Sequence, residues 1–101
     1  MNEAPINSAQ RVLRILKALR GHTLTGLSNQ EIAAMTGESP TNVTRALATL
    51  MVEDLVVKYE SGRYAHGVAM LQIAQAHVDH CARMTSRITE INQRIAAGVQ
   101  S

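Results

Sequence analysis

Over residues 8–20 the apolar side chains Val12, Ile15, Leu16 and Leu19 recur at spacings of three and four, and Arg11, Arg14, Lys17 and Arg20 fall on the opposite side. This is the period of a helix that buries one stripe and shows a wholly basic outer face. Leu13 lies off the stripe. Ser8 is the expected N-cap and Gly21 the expected stop. Residues 1–7 read as a flexible tail. Residues 21–27 (GHTLTGL) read as a connector, with a very short strand at 25–27.

The helical pattern then restarts twice in quick succession. Ser28, with Glu31 three positions on, forms a reciprocal capping box in which each side chain bonds the other residue's N–H. It predicts a helix of about two turns, ended by Gly37, with Ile32, Ala33 and Met35 facing inward. Ser39-Pro40 is the next start. The serine caps, and the proline takes the first helical position, where its missing N–H is harmless. Over residues 41–52, Val43, Ala46, Leu47, Leu50 and Met51 gather on one side of the wheel. Thr41, Asn42, Arg45, Ala48 and Thr49 gather on the other. Glu53-Asp54 ends the helix.

Residues 55–59 (LVVKY) switch to β-favouring types, Glu60-Ser61-Gly62 is a turn, residues 63–66 are the return strand, and Gly67 closes the hairpin. From Val68 the helical period returns and runs to about Ala97. Met70, Ala74, His77, Cys81, Met84, Ile88, Ile91 and Ile95 recur at alternating spacings of four and three, a coiled-coil seam over about four heptads. A helix of ~30 residues is ~45 Å long. It cannot bury its C-terminal half on so small a domain, so homodimerisation through this helix is expected. The alternative is a break at Thr85-Ser86 that folds the segment back as two shorter core helices.

The order of elements predicts a mainly α fold: a winged helix-turn-helix over residues 8–67, with a three-helix core and a β-hairpin wing, followed by a long C-terminal helix over 68–101. In such a unit the second helix of the pair enters the DNA major groove and the first braces it. The groove, ~12 Å wide, admits a helix whose outer side chains are short or aimed at bases. Thr41, Asn42, Arg45 and Thr49 meet that demand. Asn pairs bidentately with adenine, Arg with guanine, and Thr offers a hydroxyl or a methyl. Arg45 is the only charged residue between Ser39 and Leu50, which makes it the first choice for base readout.

Three stretches carry a family resemblance: SAQRVLRIL from Ser8, LSNQEIAAMTGESPTNVTRALATL from Leu27, and GRYAHGVAMLQIA at 62–74. Residues 8–74 resemble the N-terminal winged helix-turn-helix of IclR-type transcription regulators. In that family the recognition helix ends in a Leu/Ala-x-Thr-Leu pattern, here Arg45-Ala46-Leu47-Ala48-Thr49-Leu50. The wing reads Gly-x-Tyr-x-Leu-Gly, here Gly62 to Gly67 with His66 in the leucine's place. The resemblance implies phosphate contacts from Ser8 and Arg11 at the first helix, from Ser28 and Gln30 at the second helix's N-terminus, and from Arg63 on the wing. Arg14 and Thr44 join this backbone-contacting set. Tyr64 is expected to pack the wing rather than touch DNA. The large C-terminal effector-binding domain of these regulators does not fit in the residues that follow Gly67 in a chain of 101. No small-molecule sensing is therefore expected.

Composition narrows the picture. Hydrophobic residues make up 46% and charged residues 18%, enough for a packed core. With two Tyr and no Phe or Trp, the core is aliphatic, and a binder of single strands would lack its stacking platform. The net charge of +2 is small, but no acid interrupts the basic run Arg11, Arg14, Lys17, Arg20. The single cysteine, Cys81, allows no intrachain disulfide, and no signal-peptide core or bilayer-spanning run is visible, so a cytoplasmic location is expected. His77 and Cys81 stand one helical turn apart, but a structural zinc site needs four ligands, and no metal or other cofactor is expected. No nucleophile elbow, phosphate-binding glycine loop or paired carboxylate appears, so the chain does not read as an enzyme. The expected function is sequence-specific binding of double-stranded DNA by a small dimeric transcription regulator. Two alternatives stand beside it: a DNA-positioning module of a replication, recombination or packaging machine, and a winged-helix protein–protein adaptor.

Overall fold

The computed structural model describes residues 3–100. Its elements follow the order α1 (Asn7–Ala18), α2 (Asn29–Thr36), α3 (Pro40–Val52), β1 (Val56–Lys58), β2 (Tyr64–His66) and α4 (Val68–Gln100). This is a winged helix-turn-helix with a long following helix. The chain divides between Leu71 and Gln72.

The amphipathic faces build the core of the first unit. Ile15 of α1, Leu19 at its C-cap, Ile32 of α2, and Val43, Ala46, Leu47 and Leu50 of α3 are buried together with Leu27, Val56 and Tyr64. Val12, Leu16 and Met51 pack at its edge. Met35 departs from expectation, being 56% exposed. In an eight-residue helix whose buried side is set by Ile32 and Ala33, a residue three places after Ile32 turns to the side away from Ala33, at about 100° per residue.

Local chemistry sets most helix ends. In α2 the Glu31 N–H donates to Ser28 Oγ at 3.1 Å and the Ser28 N–H to Glu31 Oε1 at 3.3 Å, closing the capping box. Gly37 then takes a left-handed conformation with φ 74°. In α3 the Asn42 N–H donates to Ser39 Oγ at 3.1 Å, with Pro40 at the first position. Helix α1 differs from the sequence reading. Ser8 lies inside its first turn, and the cap position belongs to Ile6, which offers no side-chain bond. The first helical bond runs from the Gln10 N–H to the Ile6 carbonyl at 2.9 Å, so the exposed start of α1 is fixed by backbone alone.

The wing is an antiparallel pair with Val57 opposite Ala65 and Lys58 opposite Tyr64. Leu27 adds a bridge to Tyr64, with reciprocal N–H to carbonyl bonds of 2.8 Å, so the connector contributes a short third edge near the predicted place. The Tyr59 hydroxyl donates to the Thr23 carbonyl. His66, in the leucine's place, sets its Nε2 2.7 Å from the Leu16 carbonyl and ties the wing to the end of α1.

Helix α4 is unbroken from Val68 to Gln100, so the alternative of two shorter core helices does not occur. The Thr85 hydroxyl bonds back to the Cys81 carbonyl at 2.9 Å, which satisfies it within the helix. The side chains of residues 71–98 are exposed.

Candidate nucleic-acid interface

The outer face of α3 is the clearest candidate surface. Thr41, Thr44, Arg45, Ala48 and Thr49 are exposed, and Asn42 is half-buried, while the opposite face fills the core. The Arg45 side chain makes no hydrogen bond or ion pair among the described residues. The Thr49 hydroxyl bonds the Arg45 carbonyl at 3.2 Å, which leaves its methyl and acceptor lone pairs on the surface.

Helices α1 and α3 frame a shallow cleft lined by Ser8, Arg11, Val12, Asn42, Arg45, Ala46 and Thr49. The fold thus brings five of the residues singled out in the sequence, Ser8, Arg11, Asn42, Arg45 and Thr49, to one concave surface. Arg14 lies beyond it, lining an open basic cleft with Lys17, Arg20 and His22.

Other candidates are engaged within the fold. The Thr44 hydroxyl donates to the Pro40 carbonyl at 3.0 Å and accepts from Asn29 Nδ2 at 2.8 Å, pinning α2 to the start of α3. The Arg63 guanidinium reaches Glu31 Oε1 at 2.9 Å and donates to the carbonyls of Thr25 at 3.1 Å and Gly26 at 3.0 Å. It braces the wing against the α2 cap, so any phosphate contact from Arg63 competes with three internal bonds. Ser28 is committed to the capping box, while Gln30 stands exposed one residue into α2. Hydrogen bonding from Ser28, side chain first and backbone second, together with the Arg63 guanidinium, holds the Glu31 carboxyl below its ordinary range.

One residue of this surface was not singled out in the sequence. Glu38, in the turn between α2 and α3, accepts from Arg11 Nε at 3.0 Å, from Arg14 Nη1 at 3.4 Å and from Asn42 Nδ2 at 3.5 Å. The only available signal was that no other acid stands between Glu31 and Glu53.

The sequence profile of the IclR helix-turn-helix domain matches residues 8–59. The chain belongs to this family. Among solved structures, HmgR from Pseudomonas aeruginosa is 28% identical with a TM-score of 0.65, over 74% of this chain and 32% of its own. The IclR transcriptional regulator from Alicyclobacillus acidocaldarius is 32% identical with a TM-score of 0.64, over 72% of this chain and 30% of its own. The chain therefore spans about a third of the length of these two proteins. ZitR from Lactococcus lactis shares the fold over 93% of this chain and 66% of its own, at 20% identity and a TM-score of 0.52. No curated protein matches the chain.

Proposed function

We propose that this IclR-type domain binds double-stranded DNA sequence-specifically and serves transcription regulation; the Alicyclobacillus relative is itself a transcriptional regulator. The observation that carries the reading is α3 itself. Its Val43, Ala46, Leu47 and Leu50 are locked in the core, and its opposite face offers Thr41, Asn42, Arg45 and Thr49 with the Arg45 guanidinium uncommitted. Arg45 and Asn42 read base edges, with Thr41 and Thr49 beside them. Ser8, Arg11 and Arg14 on α1, the α2 start at Ser28 and Gln30, Thr44 and the wing's Arg63 hold the phosphates. Base contacts then specify, and phosphate contacts position.

The chain acts as a dimer through α4. Its seam residues Met84, Ile88, Ile91 and Ile95 are 41%, 60%, 45% and 61% exposed. Isolated helices are marginal in water without a packed apolar face, and a second copy of the same seam supplies one. Two recognition helices would then read half-sites about 34–36 Å apart or a multiple of that.

Fluorescence anisotropy of a labelled duplex, titrated at rising salt, tests the binding. A protein making several phosphate contacts loses about 10³-fold or more in affinity between 50 and 200 mM salt. Affinity that does not respond to salt, or no binding at any salt, contradicts the proposal and points to a protein partner.

A further inference from the structure

We propose that Glu38 is the specificity-determining positioning residue of the α1–α3 surface, an internal anion that restrains the domain on random DNA and sets the groups that read the correct site. The proposal rests on the DNA-binding reading above.

The Glu38 side chain is only 16% exposed, and it places its charge beside Arg11 and Arg14, at the edge of a cleft whose charged lining residues, Arg11 and Arg45, are both cations. It takes one bond from each of two α1 arginines and one from the α3 asparagine. Arg11 gives its Nε, so the two Nη groups of that guanidinium remain for another acceptor. Arg14 gives one Nη, through a longer contact. The carboxylate therefore orients both arginines and cancels part of the field that would draw phosphate to them. This restraint falls on every DNA sequence alike, because phosphates carry no sequence information.

The third bond acts on base readout. A carboxylate only accepts hydrogen bonds. It therefore selects the Asn42 rotamer whose Nδ2 turns toward Glu38, which leaves Oδ1 and the second Nδ2 hydrogen for a base edge. Bidentate pairing with adenine needs that acceptor–donor pair in a fixed order. A glutamine at position 38 can accept or donate, so it no longer dictates which way the Asn42 amide faces.

Glu38→Gln, nearly isosteric, separates these effects. Affinity for random duplex is expected to rise about fivefold, the effect of one unit charge removed from about 4 Å in water. The log–log salt slope is expected to steepen by about 0.9, one phosphate contact. The ratio of affinities for selected over random duplex is expected to fall about fivefold or more, since the lost charge raises both affinities alike while only the selected duplex loses the ordered Asn42 base contact. Asp79→Asn changes the net charge equally on α4 and is expected to leave slope and ratio alone. Glu38→Asp retains the charge but shortens its reach, so the slope stays and the ratio falls. It also serves if the glutamine variant does not fold. Thermal melting confirms that each variant is folded. A Glu38→Gln protein that weakens selected and random binding equally has lost only structure, and this overturns the inference. So does an unchanged ratio, or the same change in Asp79→Asn, while salt-sensitive binding by the wild type keeps the DNA reading intact. Absence of that binding in the wild type overturns both.

Discussion

Replacing Gly67 by alanine tests how the wing is fastened. A Cβ at this position would stand 2.5 Å from the Asp54 carbonyl oxygen and 3.2 Å from both the Asp54 carbon and the Val56 nitrogen. All three neighbours are backbone, so no side-chain rotation relieves the contact. The same Asp54 carbonyl accepts from the Ala69 N–H at 3.2 Å, and the Gly67 N–H donates to the Leu55 carbonyl at 2.9 Å. The methyl group therefore strikes the point where the hairpin closes and α4 begins. Overpacking costs roughly 1–3 kcal/mol, and rigid neighbours put this case near the top of that range. At about 4–8 °C per kcal/mol for a domain of this size, the melting temperature should drop by about 10–20 °C. The probe is built in. The chain has two tyrosines and no tryptophan or phenylalanine, and Tyr59 and Tyr64 both sit in the wing, so near-ultraviolet circular dichroism reports on the wing while the far-ultraviolet signal reports on the helices. Gly62→Ala is the comparison. Nothing lies within 4 Å of its added methyl, and only the positive φ of 88° is penalised, at about 1–2 kcal/mol. A Gly67→Ala protein that melts within about 2 °C of wild type with an unchanged tyrosine signal refutes the reasoning.

Three further outcomes follow from the same structure. Arg14→Ala should weaken binding to all duplexes alike and reduce the salt slope by about 1, read by anisotropy over a salt series. The depressed Glu31 carboxyl contributes stability that is present above the ordinary glutamate value of 4.5 and lost as pH falls through its lower folded value. Acidification from neutral pH should therefore lower the melting temperature more in wild type than in Glu31→Gln, as followed by circular dichroism at both pH values. Placing charges in the α4 seam with Ile88→Lys and Ile91→Lys should convert a dimer to monomer in sedimentation equilibrium and reduce helicity.

What the sequence disclosed and what it hid divide along sequence distance. The two central helices were legible because their signals are local: Ser28 with Glu31, and Ser39 with Pro40, act within one turn. The buried face of α3 followed from its period alone, and with it the face left exposed. The start of α1 was not legible, because its cap position is held by Ile6, an apolar residue whose side chain makes no capping bond, while Ser8 lies inside the first turn. The exposure of Met35 is not legible, because a helix of eight residues has a buried face too narrow for period to define. The role of Glu38 is not legible because its arginine partners stand 27 and 24 residues away. Arg63 is the same case, with carbonyl partners 38 and 37 residues back along the chain. In both, a charge that looks free in the sequence is claimed by a distant group in the fold.

The most direct test of the central claim, that the outer face of α3 reads bases as one of a two-fold pair, is selection of bound duplexes from a random DNA pool by wild type and Arg45→Ala in parallel. A two-fold symmetric motif enriched by the wild type and degraded by Arg45→Ala at defined positions is the predicted result. Equal retention of all sequences by both proteins would contradict it.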